Sequence, residues 1–145
     1  MNAQRHKYGR TYHLPWSMGR SDDDKVLGDI SHFVGAEIVC TEKFDGENSS
    51  LYHDGYTHAR SVDSAAHESR DWLKGFWSQR SHELPSGWRV CGENLYAAHS
   101  IWYANLPSLF IGFSIWDDEN NCLSWDSTLE WFELLGIQPA REWLS

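Results

Sequence analysis

The feature that most constrains the fold of this chain is a hairpin pattern. Two short runs, Leu51-Tyr52-His53 and Tyr56-Thr57-His58, flank the dipeptide Asp54-Gly55. Asp-Gly supplies the positive φ angles that a two-residue β-turn requires, so the two runs are predicted to pair as antiparallel strands.

Other segments of the chain supply more strands and two helices. Strand patterns occur at residues 38–40, 88–91 and 109–116. From Ser64, a residue suited to cap a helix, apolar residues recur at helical spacing until Pro85. Ser127-x-x-Glu130 has the capping-box pattern of a second helix, which should stop at Gly136. We therefore predict one domain with an α+β fold, in which helices flank a mainly antiparallel sheet.

The composition limits the classes of function. The net charge of −9 supplies no overall positive field for nucleic acid, so phosphate recognition requires a local cluster of cations. The three cysteines form no C-x-x-C pair, and the eight histidines form neither H-x-x-x-H nor H-E-x-x-H, so we predict no metal site from them. No signal peptide and no apolar run of membrane-spanning length is apparent, and we expect a soluble cytoplasmic protein.

Lys43 lies in the run Glu42-Lys43-Phe44-Asp45-Gly46-Glu47-Asn48, directly after a strand pattern. A lysine there could attack a phosphorus or carbonyl atom once it has lost its proton, which desolvation or a neighbouring cation promotes. Gly46 allows the backbone to approach a ligand closely, and Asp45 and Asn48 can fix the turn. An ordinary strand-to-turn junction is the alternative.

Three further segments carry groups that suit nucleotide chemistry. Arg60 follows the hairpin and could fork onto phosphate or ribose oxygens, or could form a surface salt bridge. Glu93 follows the 88–91 strand and could accept both ribose hydroxyls, or could belong to a common turn. In the run 110–117, strict alternation places Phe110, Gly112, Ser114 and Trp116 on one face and Ile111, Phe113 and Ile115 on the other. An aromatic ring there could stack on a purine, or could belong to the core.

The order and spacing of these segments resemble the ATP-dependent RNA ligases of the covalent nucleotidyltransferase superfamily. The opening run from Lys7 to Ser17 also looks like the leader of one bacterial and phage RNA-ligase-like group. The resemblance implies the N-terminal part of a ligase adenylation domain. It also implies that Lys43 attacks the α-phosphate of ATP, with Mg²⁺, to form a lysyl-AMP. The AMP then passes to a 5′-phosphate RNA end, which a 3′-hydroxyl end attacks to join the strand.

The resemblance also assigns roles to individual residues. It implies that Glu42 contacts the adenine, Arg60 holds the nucleotide sugar or phosphate, and Glu93 binds the ribose. Phe113 is the best match to the aromatic residue that stacks on adenine. We add Asn48, from the lysine motif, to the nucleotide-binding residues.

The chain departs from the family pattern after Gly136. No second glutamate motif follows, no K-x-K appears, and the last lysine is Lys74. We therefore expect residues 1–145 to form a single, incomplete adenylyltransferase domain. The alternatives are a non-catalytic fragment that binds a nucleotide or RNA end, and half of a split ligase completed by a second chain or by another copy. A minimal, ancestor-like form is also open.

Overall fold

The computed structural model describes residues 4–18, 25–60, 68–96 and 108–144. Its Cα positions form two compact units: Met1–Tyr8 with Glu42–Arg141, and Gly9–Thr41 with Glu142–Ser145. Every residue that the sequence assigns to nucleotide chemistry falls in the first unit.

The first unit contains a five-stranded sheet and two helices. The strands and α-helices of the described residues, in order, are β1 Cys40–Thr41, β2 Glu47–Tyr52, β3 Thr57–His58, α1 Glu68–Ser78, β4 Arg89–Asn94, β5 Phe110–Trp116, α2 Trp125–Leu135, β6 Gln138–Pro139 and β7 Glu142–Leu144. The large sheet has the order β3-β2-β4-β5-β6, antiparallel except for the β5–β6 pair. In the second unit, β1 pairs antiparallel with β7. The predicted α+β class with a mainly antiparallel sheet is confirmed.

The two helices of the first unit cover one face of the sheet. Leu51, Val90 and Ile115 lie opposite one another on three adjacent strands and all belong to the main core. Trp77 of α1 and Phe132 of α2 pack into the same core and are almost fully buried. Since side chains alternate along a strand, their sequence neighbours point to the opposite face, together with Asn48 of β2 and Glu93 of β4. No helix among the described residues is long and apolar enough to cross a membrane.

The predicted hairpin is present, but its turn has three residues and not two. Tyr52 N–H donates to Tyr56 O, and Gly55 N–H donates to Tyr52 O, so the loop consists of residues 53–55. Only Gly55 in this loop has a positive φ, at 91°. This is the loop in which a type I turn is followed by a left-handed residue, and it needs one glycine and not two positive φ angles.

Helix α2 begins earlier than the sequence predicts. The cap is Ser124, whose side chain accepts a hydrogen bond from Ser127 N–H, so the Ser127–Glu130 capping box is wrong. The predicted stop is confirmed, because Gly136 adopts the left-handed conformation (φ 70°) in which glycine ends helices. The proposed Ser64 cap lies outside the described residues.

A β-bulge in β5 overturns the predicted division of its faces. Cys91 lies opposite Ser114 and Gly92 lies opposite Gly112, which leaves Phe113 as the extra residue. Phe110 and Ile115 consequently join the same helix-covered core, although residues five apart in a regular strand face opposite ways. Past the bulge, Ser114 no longer shares the face of Phe110.

On the sheet face away from the helices, His58 is buried and hydrogen-bonded through both ring nitrogens. Nδ1 lies close to Ala59 O, which can only accept, so Nδ1 carries the proton and Nε2 accepts from the Tyr52 hydroxyl at 2.9 Å. Burial, with smaller contributions from the charges of Arg5 and Arg89, lowers the pKa of His58 below its ordinary value of 6.5, although the Ala59 carbonyl acts in the opposite direction.

This depressed pKa predicts a loss of stability in mild acid. Well above pH 6.5, His58 is neutral in both folded and unfolded chains. As the pH falls further, the unfolded chain takes up the proton first, so the free energy of unfolding decreases as the pH approaches the pKa of the folded form. We expect the urea midpoint to be lower at about pH 5.5 than at about pH 7.5. His58→Gln should reduce this difference, leaving the part due to His6, whose pKa burial also lowers. An equal pH dependence in His58→Gln and wild type would contradict the prediction.

Candidate active site

A cavity of about 550 Å³ opens in the first unit, within the size range of small-molecule sites. Its lining residues are Lys43, Phe44, Asp45, Gly46, Glu47, Asn48, Ala59, Arg60, Arg70 and Glu93. Three of these side chains are cationic and three are carboxylates, in a chain whose net charge is −9. The cavity is therefore locally neutral, and it supplies the cluster of cations that phosphate recognition requires.

The cavity brings together Lys43 and Arg60, which are 17 residues apart in the sequence. The hairpin β2–β3 reverses the chain between them, as the sequence predicts. Both side chains are exposed. The strand pattern before Lys43 forms only the short strand β1, which ends at Thr41, and the lysine follows in an exposed connection.

Glu93 lies within strand β4, directly opposite Asn48 of β2, and not in a turn after the strand. Its carboxylate accepts a hydrogen bond from Gly46 N–H at 3.0 Å. The glutamate thus lies on the cavity wall and also ties the loop that follows Lys43 to the sheet.

Residue 46 must be glycine because the loop after Lys43 lies close against the end of β4. A Cβ atom at this position would lie 2.6 Å from Asn94 O and 2.7 Å from Leu95 Cδ2. The sequence predicts that the missing side chain makes room for a ligand, whereas the structure places the end of β4 in that space. The loop carrying Lys43 can lie against β4 only because residue 46 has no side chain.

Asn48 contributes the clearest unsatisfied polar group of the cavity. Its Oδ1 atom is buried and has no hydrogen-bond partner among the residues that the structure describes. Leaving a buried acceptor unpaired costs roughly 1–3 kcal/mol, so such atoms commonly mark a place where a ligand or water completes the site. The position of Asn48 on the cavity wall fits its predicted part in ligand binding.

Glu42 and Phe113 lie beside this cavity and not on its lining. The Glu42 carboxylate pairs with Arg141 Nη2 at 2.9 Å, and the backbone N–H of Glu42 donates to Arg141 O. Phe113 packs in a small apolar cluster that includes Phe44, a lining residue. Tyr8 meets the Phe113 ring edge-on, with ring centroids 5.6 Å apart. Burial raises the pKa of Tyr8 to about 12, so its phenol keeps its proton at neutral pH.

Glu47 and Arg70 line the cavity, although sequence reasoning assigned them no role. Arg70, in the first turn of α1, binds both carboxylate oxygens of Glu47, with Nε–Oε1 at 2.9 Å and Nη2–Oε2 at 2.7 Å. One sequence signal could have pointed to Arg70: it lies three residues before Leu73 and seven before Trp77, on the helix face that packs against the sheet.

The carboxylates of the cavity suit one type of metal ion. In the described ranges, no group of three or more His, Cys, Asp or Glu residues is arranged to hold an ion by itself. Mg²⁺ is usually held by one or two carboxylates together with phosphate oxygens and water. Asp45 and Glu93 offer ligands of that type, so the cavity fits an Mg²⁺ ion that arrives with a polyphosphate.

Comparison with known protein families independently supports the resemblance to RNA ligases. A family model described as RNA ligase matches residues 36–143, well over half of the chain. The match includes the Lys43 loop, the hairpin and all the strands of the large sheet. No curated protein and no solved structure matches the chain.

Proposed function

Because the chain belongs to the RNA ligase family, we propose that it reacts with ATP to form a lysyl-AMP at Lys43, then transfers the AMP to a 5′-phosphate RNA end for strand joining. The observation that carries this proposal is the cavity shared by Lys43, Arg60, Glu93 and the unpaired Oδ1 atom of Asn48. It combines a nucleophile, a phosphate-binding cation, a ribose acceptor and a polar group that lacks a partner.

The proposed reaction has three balanced steps. The Lys43 amine attacks the α-phosphorus of ATP, the bond to the oxygen that bridges to the β-phosphate breaks, and pyrophosphate leaves while the amine loses a proton to solvent. A 5′-phosphate oxygen then attacks the same phosphorus, and the phosphorus–nitrogen bond to Lys43 breaks while the leaving nitrogen takes up a proton from solvent. Finally, the 3′-hydroxyl attacks the 5′-phosphate, AMP leaves, and the hydroxyl proton is released. When bound, Mg²⁺ would neutralise charge on the leaving pyrophosphate.

The neighbouring residues position the nucleotide in this proposal. The Arg60 guanidinium binds phosphate or ribose oxygens, and the Glu93 carboxylate accepts the ribose hydroxyls. Phe113, which packs next to the lining residue Phe44 and meets Tyr8 edge-on, stacks on an adenine that extends past the lining. Glu42 contacts the adenine, and its pairing with Arg141 fixes the backbone next to Lys43.

A second candidate is a non-catalytic module that binds a nucleotide or an RNA end. The exposure of Lys43 favours it, because burial commonly contributes to the reactivity of a nucleophilic lysine. A split ligase, in which a second chain or another copy covers Lys43 and supplies the K-x-K lysines, accounts for the same observation.

The experiment that tests the proposal separates chemistry from binding. The chain is incubated with α-labelled ATP and Mg²⁺, denatured and resolved by electrophoresis, while equilibrium binding of ATP is measured in parallel. We expect a covalent label on the wild-type chain. Glu93→Ala should lower that label about tenfold or more, because both the ribose contact and the hydrogen bond to Gly46 are lost.

The matched control is Glu119→Ala, which removes an exposed carboxylate from the turn after β5 and should leave the label unchanged. Binding of ATP without any covalent label in the wild type would reject the catalytic proposal and support the binding module. A label that appears only after a second chain is added would identify a split enzyme.

A further inference from the structure

The Glu47–Arg70 ion pair joins a carboxylate and a cation that both line the cavity. It joins the start of β2 to the first turn of α1. Both side chains keep about a quarter of their surface exposed, 22 % for Arg70 and 24 % for Glu47. The pair is therefore formed at the edge of the cavity and remains accessible from it.

The geometry of the pair leaves donors of Arg70 available. A guanidinium has five N–H donors, and the carboxylate is bound through Nε and Nη2. Nη1 makes no hydrogen bond in the described structure. An arginine held on one side by a carboxylate has already lost most of its rotamer freedom, so an anion that binds the other side gains its hydrogen bonds at little entropic cost.

The position of Arg70 limits what that anion can be. Its guanidinium lines the same cavity as Lys43 and Arg60. Hydrogen bonding to Glu47 raises the pKa of Arg70, so its charge is permanent. A planar, permanently charged donor in a cavity with two more cations suits a phosphate group better than a nucleobase or a neutral sugar.

We propose that Arg70 is a phosphate-binding residue of this cavity and that Glu47 is its positioning residue; the inference rests on the proposed function. The ligand group is a phosphate with non-bridging oxygens, which can accept hydrogen bonds from the guanidinium. It is supplied either by the polyphosphate of ATP or by the 5′-phosphate of an RNA end. Arg60 and Arg70 then approach the bound phosphates from different elements, the hairpin and helix α1.

The competing role for the pair is a purely structural clamp that holds α1 against β2. Arg5 and Asp54 provide a matched control for that role. They form another two-point ion pair, with distances of 3.1 and 2.6 Å and exposures of 20 % and 33 %, but neither residue lines the cavity. Breaking either pair should lower stability, and only loss of Arg70 should weaken phosphate binding.

The test measures dissociation constants in the full chain carrying Lys43→Ala, so that no covalent step interferes. In the presence of Mg²⁺, ATP is compared with adenosine, and a 5′-phosphorylated oligoribonucleotide is compared with its 5′-hydroxyl form. The preference for phosphate is the ratio of the two dissociation constants in each comparison. We expect Arg70→Gln to lower this ratio roughly ten- to a hundredfold in one of the two comparisons. The ligand of that pair without the phosphate, adenosine or the 5′-hydroxyl strand, should bind as before. The comparison that changes identifies the source of the phosphate.

Two further variants keep the result interpretable. Arg70→Lys retains the charge but not the fork, so it should keep the fold and recover part of the preference. Arg5→Gln should leave both preferences unchanged. The inference is overturned if Arg70→Gln and Arg5→Gln behave alike, if both ligands of a pair weaken equally, or if the Lys43→Ala chain shows no preference for phosphate. The proposed function fails separately, by the absence of covalent label on the unaltered chain.

Discussion

Lys43→Ala is expected to reduce the covalent label from α-labelled ATP at least about a hundredfold, to background, because the attacking amine is absent. Its effect on ATP affinity should be much smaller. An exposed charge contributes on the order of 0–1 kcal/mol to an ionic interaction, so the dissociation constant of ATP should rise less than about fivefold. The two quantities are measured by denaturing electrophoresis and by equilibrium titration of the same preparations.

This separation between chemistry and affinity is what distinguishes a nucleophile from a binding residue. Lys74→Ala is the matched control, since Lys74 is another exposed lysine of the first unit and lies on α1 outside the cavity lining. It should retain the label and the affinity of the wild type. A Lys43→Ala chain that is labelled as strongly as the Lys74→Ala chain would show that another residue carries the adenylyl group.

Gly46→Ala is expected to have the second largest effect, and it acts on both the fold and the site. The added Cβ would lie 2.6 Å from Asn94 O, a backbone atom that cannot rotate away. The loop must therefore move off β4, which typically costs about 1–3 kcal/mol for an overpacked site. The same movement breaks the hydrogen bond from Gly46 N–H to Glu93 and displaces the loop that carries Lys43. We expect a lower free energy of unfolding in urea and a loss of covalent label of about tenfold or more.

Gly75→Ala is the control in which the added Cβ atom has space around it. Gly75 lies within α1, and a Cβ there would meet no atom within 4 Å. Alanine should stabilise the helix by roughly 0.5–1 kcal/mol, because glycine loses more backbone freedom on folding. A Gly46→Ala chain with the stability and label of the wild type would show that the loop does not depend on its contact with β4.

The parts of the fold that the sequence predicts are those set by local chemistry. Asp54-Gly55 indicates the hairpin, and Gly136 indicates the end of α2, because few residues other than glycine adopt a left-handed conformation at low cost. The hairpin and the pairing of β2 with β4 are also enough to bring Arg60 and Glu93 to the cavity that contains Lys43. The core of the candidate site therefore follows from turns and strand pairing.

The features that the sequence does not predict depend on contacts between distant segments. The bulge at Phe113 arises from the register of β5 against β4, and strict alternation cannot indicate it. The Arg70–Glu47 pair requires the first turn of α1 to lie against the start of β2, which no local pattern specifies. The pairing of Glu42 with Arg141 likewise joins residues that are far apart in the sequence.

The most direct test of lysyl-AMP formation is peptide mass mapping of the wild-type chain after incubation with ATP and Mg²⁺. We expect one adenylyl group, on the peptide that contains Lys43, and its removal when a 5′-phosphorylated RNA is added. An unmodified Lys43 peptide under conditions in which ATP is bound, or an adenylyl group on a different residue, would contradict the proposed reaction.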